Sequence, residues 1–196
     1  MLERYISLTG EVKKKFDLLY DLVINCPVNI TTIKDREGFA LKHILDSIYF
    51  FLNRPPEIKS VADIGSGGGF PGLPLAIYFT DWQVTLVEST GKKCEFLKKA
   101  AEALGLSNVR VENSRAEKMP PAGFDLVTAR GVGSVKDILK FTSHLVHDKG
   151  AWLIYKGERL NEELAEVKPS LEIRGIKNET VRIENPFKRS YLYLYH

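Results

Sequence analysis

The sequence predicts an α/β fold in which a mostly parallel sheet carries helices on both faces and follows an N-terminal helical extension. From residue 60 onward, short apolar runs alternate five times with helical stretches, a pattern typical of parallel sheets. Residues 171–196 alternate β-branched and aromatic side chains, which predicts antiparallel strands at one edge. We therefore expect seven strands, with residues 1–56 as the extension and residues 57–196 as the core.

Two helices are predicted in the N-terminal extension. Apolar residues recur at helical spacing between Val12 and Val23, and three consecutive lysines lie on the opposite side. A break at residues 27–32 precedes a second amphipathic run over residues 36–51. The pair Pro55-Pro56 is expected to end the extension, because proline cannot continue a helix.

Strands and helices then alternate. The predicted strands are residues 61–64, 84–87, 109–111, 124–129 and 151–155, and the predicted helices are residues 71–79, 92–104, 134–145 and 161–167. Gly105 is expected to end the second of these helices, and Ser134 is expected to cap the third. The tail from Leu171 is predicted to hold two or three strands with a hairpin.

Composition indicates a single globular domain. Of the 196 residues, 44% are hydrophobic and 27% are charged, which allows a full core. The net charge of +3 permits a polyanionic partner without requiring one. The N-terminus has no pattern of a secretory signal, and no apolar run approaches the roughly 20 residues that span a bilayer. Cys26 and Cys94 are too few and too distant for a zinc site, so we expect a cytoplasmic protein without a metal or a membrane partner.

A glycine-rich loop directly follows the first predicted strand, with the sequence DIGSGGGFPG at residues 63–72. Glycines at positions 65, 67 and 69 allow a sharp turn and the close approach of a ligand. The helix that follows presents unpaired backbone N–H groups. Ligands of open parallel sheets bind at the carboxyl ends of the central strands, where this loop lies. We therefore interpret the segment as a ligand-binding loop.

The loop favours S-adenosylmethionine over a nucleotide. A dinucleotide loop requires glycine where Phe70 stands, and a phosphate-binding Walker loop requires a Gly-Lys-Ser/Thr sequence. Asp63 would repel a pyrophosphate, whereas it suits a cationic ligand or organises the loop through hydrogen bonds. Glu88 ends the second strand about twenty residues on, where a carboxylate reaches ribose hydroxyls in both ligand classes. The cofactor-binding residues predicted from these patterns are Asp63, Gly65, Gly67, Gly69 and Glu88.

An ordered set of short motifs extends over nearly the whole chain. The motifs are NIT at residues 29–31, KHILDS at 42–47, the loop at 63–76, GKK at 91–93 followed by FL at 96–97, SRAE at 114–117, AR at 129–130 and KG at 156–157. With this set, the chain resembles the bacterial RsmG (GidB) family of 16S rRNA guanine-N7 methyltransferases. General methyltransferases share the glycine loop but not the other motifs. Gly131-Val132-Gly133 departs from the usual alanine-containing segment of the family, directly after Arg130.

The resemblance implies a Rossmann-like S-adenosylmethionine-dependent methyltransferase fold and an enzyme that methylates 16S rRNA or the small ribosomal subunit. Nothing in the sequence demands a dimer, so we expect a monomer. Gly65 and Phe70 would contact the cofactor, Ala116 and Glu117 would hold its adenine region, and Arg130 would bind the cofactor or position the base. Guanine N7 has no proton to lose, so no catalytic acid or base is expected. N7 must stay accessible, so we expect RNA contacts on phosphates, other base edges and stacked bases. The predicted RNA-binding residues are Lys42, His43, Arg115, Lys156, Lys188 and Arg189.

Three other functions stay open from the sequence. The chain could be a methyltransferase of small molecules or proteins, or a non-catalytic module that binds S-adenosylmethionine or RNA. A nicotinamide dehydrogenase is the third, and Phe70 in place of the required glycine argues against it. RNA binding through phosphates weakens steeply with salt, which separates an RNA substrate from a small molecule.

Overall fold

In the computed structural model, which describes residues 2–52 and 57–196, seven strands form one sheet. The strands are β1 (Ser60–Ile64), β2 (Gln83–Glu88), β3 (Val109–Asn113), β4 (Phe124–Arg130), β5 (Val146–Lys156), β6 (Lys177–Ile183) and β7 (Arg189–Tyr195). Their order is β3-β2-β1-β4-β5-β7-β6. Strands β1 to β5 are parallel, and β7 is antiparallel to both β5 and β6. The predicted parallel sheet with an antiparallel edge is confirmed.

Helices cover both faces of this sheet. The helices are α1 (Gly10–Ile24), α2 (Arg36–Phe39) and α3 (Asp46–Ile48) in the N-terminal extension, then α4 (Gly72–Tyr78), α5 (Gly91–Ala103), α6 (Val135–Thr142) and α7 (Leu160–Ile173) between the strands. The extension, α4 and α5 contribute to one apolar cluster, while α6 and α7 contribute to a second. Within the described ranges, no helix is both long and apolar enough to cross a membrane.

Residues 2–52 form a helical cap that shares the core of the sheet. Leu19 of α1 and Leu45 are fully buried in the same apolar cluster as Leu73 of α4. Two tyrosines of the sheet also bond to the cap backbone: Tyr155 donates its hydroxyl to the Ser47 carbonyl at 2.6 Å, and Tyr191 donates to the Asp46 carbonyl at 3.0 Å. The expected end of the extension at Pro55-Pro56 lies outside the described residues.

The second helical run of the cap changes geometry along its length. The Asp35 side chain caps α2 by accepting from the Gly38 N–H at 2.6 Å. Ala40–Leu45 then forms a π-helix, α3 follows, and a 3-10 turn at Tyr49–Phe51 ends the run. The sequence predicted this helical extent but not the wider turn. Such turns are frequent at functional sites, and this one carries Lys42 and His43.

Local start and stop signals agree with the structure except near the tail. Ser134 caps α6 by accepting from the Asp137 N–H at 3.1 Å, and Gly105, with φ at +62°, follows the end of α5. The expected strand at Leu171 is wrong, because α7 continues to Ile173 with Pro169 inside it. The helix persists there because Leu171 is buried on its apolar stripe while Pro169 is exposed.

Two boundaries also differ from the sequence prediction. Strand β5 begins at Val146, five residues before the expected start at Ala151. Residues Ser143–Leu145 form a 3-10 turn, so the regular helix α6 ends at Thr142.

Leu18 and Leu19, adjacent on α1, test whether the cap and the sheet unfold together. Leu19 is fully buried, whereas Leu18 is 38% exposed. We expect Leu19→Ala to lower the free energy of unfolding by about 2–5 kcal/mol and Leu18→Ala by less than about 1 kcal/mol. Urea unfolding followed by the fluorescence of the buried Trp82 and Trp152, both outside the cap, checks this. A Leu19→Ala protein with an unshifted tryptophan transition would show that the cap unfolds separately.

Candidate active site

The glycine loop lies between β1 and α4, beside the end of β2. The N–H groups of Gly65 and Ser66 donate to the Val87 carbonyl at 2.8 and 3.1 Å, which holds the loop against the neighbouring strand. Gly65 has a φ of +65°, and a Cβ added there would lie 2.8 Å from Val132 of the loop after β4. Both its backbone conformation and its contact with Val132 therefore require glycine at position 65.

Asp63 organises this loop from inside. Its carboxylate is fully buried, accepting from the Gly72 N–H at 3.1 Å and from the Thr128 hydroxyl at 2.9 Å. Burial raises the pKa of Asp63 to about 6, although the hydrogen bonds from Thr128 and Gly72 oppose this. Of the two roles that the sequence allowed, the structure supports loop organisation and not direct contact with a ligand.

Glu88 holds the loop from the end of β2. Its Oε2 atom accepts from the Gly67 N–H at 3.0 Å, and its Oε1 atom accepts from the Thr90 N–H at 2.8 Å. Burial alone would raise the pKa of Glu88, but the hydrogen bonds from Thr90 and Gly67 outweigh it, and the pKa lies below its usual value. The Thr90 hydroxyl also bonds to this carboxylate, but an ionised carboxylate has about four acceptor positions, so acceptor capacity remains for ribose hydroxyls.

The end of β3 adjoins Glu88. The Asn113 side chain and the Ser114 N–H both donate to the Glu88 carbonyl at 3.1 Å. Ala116 and Glu117, the predicted adenine-binding residues, follow in the 3-10 turn Ala116–Lys118. Ala116 is buried and Glu117 is exposed. The turn follows the carboxyl end of β3, as the glycine loop follows the carboxyl end of β1.

Phe70 joins the glycine loop to the cap. Its ring stacks on the ring of His43 with centroids 4.3 Å apart and planes 12° apart. The edge of Phe39 meets it at 5.5 Å, and the Arg130 guanidinium carbon lies 5.3 Å from its centroid. Phe70 is buried, so it serves as a packing surface between the cap and Arg130.

Arg130 extends from the end of β4 to the cap. Its Nη1 donates to the Lys42 carbonyl at 3.1 Å and to Asp46 Oδ2 at 3.2 Å, and its Nη2 bonds to His43 Nδ1 at 3.1 Å. A guanidinium only donates, so His43 Nδ1 accepts and His43 Nε2–H donates to the Thr31 hydroxyl oxygen at 2.7 Å. Burial, followed by the charges of Arg130 and Arg189, lowers the pKa of His43 to about 3, so His43 is neutral.

Asp46 is a functional candidate that sequence reasoning missed. Its carboxylate is fully buried and binds Arg130 together with Arg189, whose Nε lies 2.9 Å from Oδ1 and whose Nη2 lies 2.6 Å from Oδ2. The Tyr191 hydroxyl lies 3.0 Å from both Oδ1 and the Asp46 carbonyl, and it shares its one hydrogen between these two acceptors. The signal in the sequence was a single acidic residue within the apolar run at residues 44–52.

A cleft of about 1590 Å³ opens beside Arg130, between the cap and the carboxyl ends of β4 and β5. Five of the six predicted RNA-binding residues line it: Lys42, His43, Lys156, Lys188 and Arg189. The sixth, Arg115, is exposed after β3 and lies 3.8 Å from Glu117. The glycine loop and this cleft meet at Arg130.

Two of those five residues have partners that the sequence did not reveal. Lys156 is buried and donates to Glu163 at 2.6 Å and to the Gly133 carbonyl at 2.5 Å. Arg189 is bound by Asp46, as described above. Each of these cations therefore has a structural partner, and their contact with RNA stays a prediction. Lys42 and Lys188 are exposed, and so is Arg159, a cleft residue that sequence reasoning missed.

Solved structures with a similar fold include S-adenosylmethionine-dependent methyltransferases. One from Aquifex aeolicus is 18% identical with a TM-score of 0.60, covering 82% of this chain and 93% of that one. The TYW2 protein of M. jannaschii, solved in complex with AdoMet, is 18% identical with a TM-score of 0.61, covering 86% of this chain and 79% of that one. At these identities the likeness shows the fold, and the predicted Rossmann-like architecture is confirmed.

Sequence comparisons identify the family. Among curated relatives, the ribosomal RNA small subunit methyltransferase G of Stenotrophomonas maltophilia is 41% identical over 155 residues, which are 78% of this chain and 71% of the relative. The protein of the same name from Staphylococcus carnosus is 35% identical over 189 residues, which are 91% and 78% of the two chains. The family model described as GidB, rRNA small subunit methyltransferase G, matches residues 13–190. The chain therefore belongs to the GidB family, which confirms the resemblance drawn from its motifs.

Proposed function

We propose that this protein transfers the methyl group of S-adenosylmethionine to N7 of a guanine in small-subunit ribosomal RNA. The observation that carries the proposal is the meeting of Phe70, Arg130 and His43 between the glycine loop and the large cleft. A methyltransferase must bring its donor and its acceptor together at one point, and at this junction the glycine loop adjoins the cleft.

The residues around the loop fit S-adenosylmethionine. Gly65 and Gly67 have left-handed backbones, which bring the chain close to a ligand without side chains. The ionised Glu88 retains acceptor positions for ribose hydroxyls, and the turn with Ala116 and Glu117 lies beside it. When bound, S-adenosylmethionine would supply the methyl group of its sulfonium: guanine N7, which has no proton to lose, would attack this methyl in line, and S-adenosylhomocysteine would be the leaving group.

The side chains at the junction serve alignment. His43 is neutral and both its ring nitrogens are hydrogen-bonded, so it fixes Arg130 and takes no proton. Arg130 is held by acceptors on the cap and lies over the face of Phe70. An acceptor with no proton to lose needs close and correct approach more than acid–base chemistry, and alignment alone supplies a large part of such a rate.

The cleft suits a guanine nucleotide. Lys42, Arg159 and Lys188 are exposed around it, where they reach phosphates. Glu158 and Glu184 also line the cleft, and carboxylates accept from the N–H donors on the Watson–Crick edge of guanine. Recognition on that edge leaves N7 accessible for the reaction.

We propose 16S rRNA, free or within the small subunit, as the partner of a cytoplasmic monomer. One chain supplies the glycine loop, the cap and the cleft, so this proposed site needs no second copy. The relatives from Stenotrophomonas maltophilia and Staphylococcus carnosus are named as ribosomal RNA methyltransferases, which supports the same class of substrate.

Transfer of labelled methyl from S-adenosylmethionine tests the function. We expect label on deproteinised 16S rRNA or on small subunits from an unmethylated strain, at one guanine mapped by cleavage at 7-methylguanine. The rate should fall steeply as salt rises, because phosphate contacts release counterions. Binding of S-adenosylmethionine with no label on either substrate would refute the RNA proposal and favour a small-molecule or protein substrate.

Glu88→Gln tests the cofactor site. A glutamine amide cannot accept from both Gly67 and Thr90 and still accept from ribose, so we expect the dissociation constant for S-adenosylmethionine to rise by about tenfold or more. Titration calorimetry without RNA measures this. Glu112→Gln makes the same chemical change on the neighbouring strand β3, where Glu112 pairs with Arg110, and should bind as the wild type does. Equal affinities for the two variants would remove Glu88 from the site.

The neutral state of His43 has a measurable pH dependence. Its folded pKa of about 3 lies below the unfolded value near 6.5, so its contribution to stability is present above pH 6.5 and is lost as pH falls toward 3. At pH 5 the loss from this group is about 2 kcal/mol relative to pH 8. Gln at this position keeps one acceptor and one donor, so the free energy of unfolding of His43→Gln should fall less between pH 8 and 5. The same pH response in both proteins would contradict a buried neutral His43.

A further inference from the structure

Asp46 lies where the cap meets the cleft, and its carboxylate is the most highly coordinated anion of this region. Oδ2 accepts from Arg130 Nη1 at 3.2 Å and from Arg189 Nη2 at 2.6 Å. Oδ1 accepts from Arg189 Nε at 2.9 Å and from the Tyr191 hydroxyl at 3.0 Å. The side chain is fully buried, so water does not screen these bonds.

The orientation of Arg130 depends on three acceptors in one short stretch of the cap. The Lys42 carbonyl and His43 Nδ1 are neutral, whereas Asp46 is the charged acceptor of the three. Hydrogen bonds between ionised partners are about twice as strong as neutral ones. Asp46 therefore contributes most to the orientation of the guanidinium.

These bonds use the two terminal nitrogens of Arg130. Its side chain is 14% exposed, lines the cleft and lies over Phe70 of the glycine loop. The hydrogen bonds recorded for the described residues leave its Nε–H for a ligand. Arg130 is thus placed to act on the reacting groups, while Asp46 borders the same cleft with its side chain fully buried.

Arg189 and Tyr191 of β7 fix Asp46 in turn. Arg189 binds both carboxylate oxygens, and Tyr191 bonds to one of these oxygens and to the Asp46 carbonyl. Without the carboxylate, Arg130 and Arg189 would present two like charges to each other in a buried setting. One anion therefore keeps two cations in place at the wall of the cleft.

We propose that Asp46 is a positioning residue for methyl transfer, which holds the Arg130 guanidinium over Phe70 and facing the cleft in a single orientation. The expected effect of Asp46 on the rate of methyl transfer rests on the proposed function, whereas its effect on the orientation of Arg130 does not. Asp46 acts through Arg130 and touches neither the donor nor the base.

Asp46→Asn tests this proposal. It should reduce the single-turnover rate of methyl transfer by about tenfold or more, because small misplacements of aligning groups are costly. The Nε–H resonance of Arg130 in the ¹H–¹⁵N spectrum, assigned by its absence in Arg130→Lys, should broaden or shift. Arg189→Gln leaves the Asp46–Arg130 pair intact and should retain that resonance with a smaller loss of rate.

Leu19→Ala is the matched control for stability. It weakens the packing of the cap without contacting Asp46 or Arg130, and the melting temperature of each variant allows all rates to be measured on folded protein. In the Arg130→Lys background, Asp46→Asn should slow the reaction by no more than about twofold further, whereas Leu19→Ala should have the same effect as in the wild type. If Asp46→Asn does not fold, the double variant Asp46→Asn/Arg189→Gln replaces it, because it removes one charge of each sign. It should show the same loss of rate and the same change in the Arg130 resonance.

Two results would overturn the proposal. One is an Asp46→Asn protein with an unchanged Arg130 resonance; the other is a rate loss that multiplies fully with that of Arg130→Lys, which would assign Asp46 a structural role alone. A wild-type protein that methylates no RNA would refute the proposed function instead. The resonance needs no substrate, so it would still decide whether Asp46 positions Arg130.

Discussion

The buried carboxylate of Asp46 is the constraint on which the rest of the structure depends. A lone ionised group in an apolar interior is costly, so Asp46 is tolerated only while Arg130, Arg189 and Tyr191 surround it. These partners come from β4 and β7, and Asp46 itself comes from the cap. The positions of the cap, of β7 and of the Arg130 guanidinium therefore depend on one another. The cap belongs to the site as much as the sheet does.

Two further carboxylates, those of Asp63 and Glu88, shape the glycine loop in the absence of a ligand. Asp63 bonds to the first turn of α4, and Glu88 bonds to the middle of the loop and to the start of α5. Each uses backbone N–H groups that would otherwise lack partners. A loop held this way loses little freedom on binding, which lowers the entropic cost of association. Asp63 stays below the surface, whereas Glu88 keeps acceptor positions for a ligand.

Local patterns predicted much of the fold because they depend on neighbouring residues. The alternation of strands and helices, the Ser134 cap and the Gly105 stop all follow from such patterns. The predicted helix over residues 161–167 ends too early, because Pro169 is tolerated on the exposed side of α7 while Leu171 extends the buried stripe. Tertiary burial there outweighs the local preference.

The sequence predicted part of the candidate site, and the contacts that it did not predict share one physical cause. The glycine loop and Glu88 carry their signals in their own sequence. Asp46 does not, since its arginine partners are 84 and 143 residues away. For the same reason the sequence did not reveal that Lys156 and Arg189, both predicted to bind RNA, are each paired with a carboxylate in the fold. Charge pairing across distant elements is a property of the folded chain and has no local pattern.

The order of the strands explains why Arg130 lies between the two parts of the proposed site. The ends of β1 and β2 hold the loop for the donor, and the ends of β4 and β5 with the cap form the cleft for the acceptor. Strand β4 lies between β1 and β5, so a side chain at its end is the natural bridge between the two halves. Arg130 is that side chain, with Phe70 from the donor side beneath it and Asp46 from the cap behind it. A cap that shifted away from the sheet would misplace Arg130 and open the cleft at the same time. The cap is therefore linked to the glycine loop twice, directly through the rings of His43 and Phe39 on Phe70 and through the Arg130 guanidinium.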